Sequence, residues 1–167
     1  MKYLGAVIIF LCACTFGIYA GKEEKQRLKE CEAFLTLFEY VKNRIGYFLT
    51  PTKLIYRGFS DDVLEKTGFL AELRSHENDD IYFDAWESAF GKCENRFCMN
   101  EKEKRIVREF GSAIGKTDGA TQMNSFNYCI EQMRQEINAL ASAIEKNVKI
   151  YRILGFTVGA VAAIIIL

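Results

Sequence analysis

The chain has 167 residues, with 22 Lys and Arg against 22 Asp and Glu, one His, one Pro and six Cys. Zero net charge removes any whole-molecule attraction to nucleic acid. A single His argues against His-dependent catalysis and His-rich metal sites, and one Pro excludes a Pro-rich linker.

The charges are partitioned. Tyr3 to Gly21 is 19 residues without a charge, of which 15 are apolar, and Ile153 to Leu167 is 15 residues without a charge, of which 12 are apolar. Lys22 to Arg152 holds 43 of the 44 charges. At about 1.5 Å per helical residue the first stretch matches a hydrocarbon core of about 30 Å. It reads as a retained transmembrane helix over 1–21. The rival is a cleaved signal peptide, which has a shorter apolar run and a clearer basic start than Lys2 alone. The stretch 153–167 is shorter, with Ile150 and Tyr151 lengthening it and Arg152 placed to snorkel. Gly17 with Gly21, and Gly155 with Gly159, form two GxxxG pairs that would let membrane helices pack closely. Lys22, Lys25, Arg27 and Lys29 follow the first stretch, and Lys146, Lys149 and Arg152 precede the last. Both sets place 22–152 on the cytoplasmic side.

Within 22–152 the apolar positions recur at helical spacing. Leu28, Cys31, Leu35, Phe38, Val41, Ile45 and Phe48 give a helix from about Glu23 to Leu49. Thr50-Pro51 is an N-cap followed by Pro at the first helical position, starting a short helix that stops near Gly58. Ser60-Asp61-Asp62 caps another through about Leu73, and 76–80 is a polar loop. Ile81, Phe83, Trp86 and Phe90 mark a helix over 80–92. Asn100 opens a charged helix carrying Ile106, Val107, Phe110 and Ile114, closed by Gly115. Met123, Phe126, Ile130, Met133, Ile137, Leu140 and Ile144 alternate threes and fours, predicting one helix from about Asp118 to Arg152. That stripe fits a dimeric coiled coil acting as a spacer or scaffold. It also fits, more simply, an antiparallel pairing with the first helix. The expectation is therefore all-α: a cytoplasmic antiparallel helical bundle over 22–152, flanked by transmembrane helices over 1–21 and 153–167.

Motifs that could carry chemistry are weak. Gly111-Ser-Ala-Ile-Gly115-Lys116-Thr117 has three residues between its glycines where a phosphate-binding loop needs four, and it follows a helix instead of a strand. A helix C-terminus at Gly115 with Asp118 capping the next helix explains it. Cys93 and Cys98 are too widely spaced for a zinc knuckle, and Cys31 and Cys129 sit on apolar stripes. His76 lies in the polar loop without a nucleophile or second base. Neither a cofactor, a metal nor a small-molecule substrate is expected. Trp86 with Glu87 could form an exposed recognition pair, because Trp is frequent in hot spots; its spacing with Phe83 and Phe90 favours core packing.

Three stretches then combine into a pattern: Gly46-Tyr47-Phe48-Leu49-Thr50-Pro51; Asp84-Ala85-Trp86-Glu87; and Phe110-Gly111, Gly115, Asp118 and Gln122 followed by Lys149, Tyr151, Leu154-Gly155 and Gly159. In order and spacing they resemble the stage III sporulation protein AB family, over essentially the whole chain. The departure is Phe48-Leu49, where the family has Gly, one further residue, then Thr-Pro. The resemblance implies a soluble domain similar to the cytoplasmic domain of the type II secretion F protein. It also implies a non-catalytic platform in the membrane channel between mother cell and forespore, with stage III sporulation protein AA, a secretion-type ATPase, as partner beside other channel components and membrane lipid. Trp86, Glu87, Asp118 and Gln122 become the candidate partner contacts.

Overall fold

The computed structural model describes the backbone of residues 2–46, 55–75, 82–115 and 119–166, and the side chains of 22–46, 55–75, 84–115 and 119–147. Every described element is helical: α1 (Lys2–Gly46), a 3-10 turn (Tyr56–Gly58), α2 (Asp62–Lys66), α3 (Phe69–Ser75), α4 (Tyr82–Cys93), a second 3-10 turn (Glu94–Arg96), α5 (Glu101–Ser112) and α6 (Gly119–Ile166). The chain divides into two compact units, Arg27–Asn138 and a second made of Met1–Gln26 with Ala139–Leu167. Among the described residues no helix is long and apolar enough to cross a membrane. The expected spans at 1–21 and 153–167, with Gly17, Gly21, Gly155 and Gly159, lie outside the described side chains.

The local signals act where the residue types place them. Asp61 accepts from the backbone N–H groups of Val63 and Leu64 at the start of α2. Asn100 forms a full capping box with Glu103 at the start of α5. Gly115, at φ +76°, ends the turn that closes α5, a conformation open to glycine at no Cβ penalty. One expectation is corrected. The helix running from Asp62 through Leu73 breaks at Gly68, whose φ is +81°, giving α2 and α3. Arg96 donates from Nη1 to the Thr67 carbonyl at 3.0 Å, and a Cβ on Gly68 would lie 2.8 Å from the same nitrogen.

In the Arg27–Asn138 unit α1 and α6 run antiparallel. Glu39 pairs with Arg134, while Gly46 sits beside Met123, whose sulfur would be 3.3 Å from an added Cβ. The core between them is aromatic. Phe110 of α5 stacks on Phe38 of α1 (centroids 4.0 Å apart, 8° between planes) and on Phe126 of α6 at 4.6 Å. Phe34, Phe69, Phe90 and Phe97 form a second group of tilted, edge-to-face and stacked rings beside them. Such pairs each contribute about 0.5–1.5 kcal/mol beyond the area they bury. Phe126, Cys129, Ile130 and Met133 of α6 are buried in this core, so that part of the α6 stripe is occupied by the chain's own α1 and α5. In the other unit, Asn147 donates from Nδ2 to the Glu24 carboxylate at 3.2 and 3.3 Å.

Candidate functional site

Trp86 is completely buried. Its ring packs against Phe38, Tyr56, Phe69 and Phe110, and its Nε1–H donates to the Val107 carbonyl at 3.1 Å. That bond gives the indole's one polar group a partner, as a buried Trp requires. The α5 backbone approaches so closely that a Cβ on Gly111 would lie 2.0 Å from Trp86 Cδ1. Gln122 is also buried, and its Nε2 donates to the carbonyl of Ala113, satisfying an acceptor left open where α5 ends. Trp86 and Gln122 therefore serve the interior, and the expected contact role does not fit where they lie. Glu87 is exposed on α4 and approaches Arg108 at 3.9 Å. Asp118 lies outside the described residues. Of the four candidates the structure leaves Glu87 at a surface.

Two buried carboxylates escaped the sequence reading. Glu103 is fully buried and takes three hydrogen bonds from Arg27, two from Nε at 3.0 and 2.9 Å and one from Nη2 at 2.7 Å. The same carboxylate accepts from Asn100 N–H at 2.8 Å as the return half of the capping box. Its hydrogen bonds raise the Arg27 pKa above its usual value. Glu30, 1% exposed, accepts from Cys98 N–H at 2.7 Å. Lys102 next pairs with Glu136 of α6 at 2.5 Å. The segment 98–103 is thus tied by charge to both α1 and α6. Arg74 similarly holds the 56–59 segment, donating to the carbonyls of Tyr56 and Phe59 and to Glu65 at 2.8 Å. These partners stand far apart in sequence, so no local pattern announces them.

The remaining chemistry-bearing groups are quiet. Among the described residues no cluster of three or more His, Cys, Asp and Glu could hold a metal. Cys31, Cys93 and Cys129 are free and buried, and Cys98 is exposed. Burial pushes the thiols of Cys31 and Cys93 above their ordinary range and that of Cys129 up to about 11. Desolvation disfavours the thiolate, the nucleophilic form. Among these four, a disulfide-based thiol reagent is expected to label Cys98 readily at neutral pH and the others only on unfolding, as read by peptide mapping. Labelling of Cys31 or Cys129 at the rate of Cys98 would refute this. The sign for stability follows. Unfolded thiols ionise near pH ~8.5 while buried ones keep their protons. The stabilisation is complete below that value and is lost as pH rises towards about 11, the pKa of Cys129.

Outside the core, α1 and α6 border an open polar groove of about 480 Å³. Glu39, Lys42 and Asn43 line it from α1, and Asn127, Glu131 and Arg134 from α6, over buried Ile130. Tyr128, the residue after the lining Asn127, projects with 61% of its surface exposed.

Comparison with known proteins follows the same lines. The profile of the family described as stage III sporulation protein AB matches residues 2–167. A relative of that name from Bacillus subtilis (strain 168) is 21% identical over 170 residues, covering 100% of this chain and 99% of the relative. A solved structure of a stage III sporulation protein AB superimposes with a TM-score of 0.62 at 15% identity, covering 72% of this chain and 97% of that one. The last likeness concerns the fold.

Proposed function

Since the chain belongs to the stage III sporulation protein AB family, we propose that it is a non-catalytic membrane platform of the channel between mother cell and forespore, coupling a cytoplasmic secretion-type ATPase to the membrane complex. The observation that carries this reading is the family match across residues 2–167. The packed helical bundle over Arg27–Asn138 supports it, because its tied segments suit a body that transmits force between partners. In this reading the uncharged ends, 1–21 and 153–167, anchor the chain in the mother-cell membrane around the forespore. The Gly17–Gly21 and Gly155–Gly159 pairs pack membrane helices, and the bundle faces the cytoplasm. Stage III sporulation protein AA is the ATPase partner, met by a surface that includes Glu87.

The full chain, reconstituted in lipid nanodiscs, is expected to bind that ATPase saturably and to change its ATP turnover. Titration of labelled ATPase against nanodiscs, with empty nanodiscs as control, reads both. A folded helical chain that neither binds at high micromolar concentration nor alters turnover would remove the coupling role.

A further inference from the structure

The first turns of α6 differ in composition from the exposed side of α5. From Gly119 to Ile130 twelve residues pass without a charge, in a chain that is 26% charged. Thr121, Asn124, Asn127 and Tyr128 of that run are exposed. On α5 the exposed positions include Glu101, Lys102, Arg105 and Glu109. Charge depletion around an aromatic side chain is the composition of an interface centre. Tyr128 is the one large apolar or aromatic side chain among the described residues that stands out into solvent. Its chain neighbour Asn127 lines the groove, whose volume of about 480 Å³ falls in the range that holds a compact ligand.

We propose that this face binds a second copy of the chain about a two-fold axis, Tyr128 of each copy entering the groove of the other. The proposal goes beyond the platform reading and does not depend on it. A projecting ring and a groove adjacent on one face satisfy each other when the face is repeated by a two-fold, because each contact then occurs twice. Docking would cover the 61% of Tyr128 that is exposed and bring its hydroxyl to a groove offering Asn43, Asn127 and Glu131. The charges agree. Arg134 is engaged by Glu39 within the chain. Lys42 and Glu131, on opposite walls, make no ion pair among the described residues, and the two-fold sets Lys42 of each copy against Glu131 of the other. The groove walls carry two acids and two bases, so two copies meet without net repulsion. This is a different surface from the α6 stripe, whose Phe126 and Met133 are buried inside the bundle.

Sedimentation velocity of the full chain in detergent micelles tests this over a concentration series, with circular dichroism as the check on folding. A reversible dimer is expected. Tyr128→Ala is expected to raise its dissociation constant about tenfold or more. Lys42→Glu is expected to weaken it as well, and Lys42→Glu with Glu131→Lys to restore it, which a purely structural effect would not do. A monomer throughout, or a dimer indifferent to both Tyr128→Ala and the charge reversal, overturns the proposal. A monomer whose binding to the ATPase drops on Tyr128→Ala also overturns it, and assigns the face to the heterologous partner.

Discussion

Gly111→Ala is expected to destabilise the Arg27–Asn138 unit by about 3 kcal/mol, at the upper end of overpacking effects. The added methyl would stand 2.0 Å from Trp86 Cδ1 and 2.5 Å from Cγ and Nε1. An indole cannot swing aside as a flexible chain end would. Here it is also boxed in by Phe38, Phe69 and Phe110 and tied to the Val107 carbonyl. Either α5 moves away, loosening the Phe38–Phe110–Phe126 stack, or Trp86 gives up its hydrogen bond. Trp86→Leu by itself also destabilises, through the cavity and the lost bond. In that background Gly111→Ala should cost far less, because the offending ring is gone. Denaturant unfolding of the four chains, followed by circular dichroism, gives the coupling energy of the pair. Additive single effects would show that the close approach is not what makes glycine necessary at 111.

The second large effect is expected at the Arg27–Glu103 pair. Glu103 is fully buried, and the Arg27 side chain is 27% exposed. Arg27→Ala leaves a buried carboxylate with the Asn100 N–H but without its counter-ion, a loss of about 3 kcal/mol. Replacing both partners, as Arg27→Met with Glu103→Met, removes the unpaired charge and should recover most of that. What remains is the lost half of the capping box, about 1 kcal/mol. The same unfolding measurement decides it. A double replacement less stable than Arg27→Ala would mean that the ion pair is a net source of stability and not a means of fixing where 98–103 docks on α1.

The local features of the fold were legible because their causes are local. Asp61 and Asn100 cap helices through N–H groups two or three residues away, and Gly115 ends α5 through its own backbone freedom. The apolar stripes of α1, α5 and α6 repeat at a period that the helix itself imposes. The order and spacing of the three stretches from Gly46 to Gly159 together pointed to the family, and Trp86, Gly111 and Gln122 among them make core contacts here.

For the converse reason, contact roles for Trp86 and Gln122 were not decided by the sequence. The spacing of Trp86 with Phe83 and Phe90 favours the interior but does not name its partners. What places Trp86 inside is Gly111, 25 residues later, whose missing side chain makes room for the ring. Gln122 finds its partner, the Ala113 carbonyl, only once the end of α5 is folded beside it. Arg27 and Glu103 are 76 positions apart. Arg96 stands 29 from the carbonyl it holds, and so the break at Gly68 could not be foreseen from the capping signal alone. Helices, caps, buried faces and family follow from the order of residues along the chain. The tertiary structure decided which polar and aromatic groups are consumed by the core, which leaves the groove with Tyr128 in view, because burial and ion pairing depend on segments that only folding brings together.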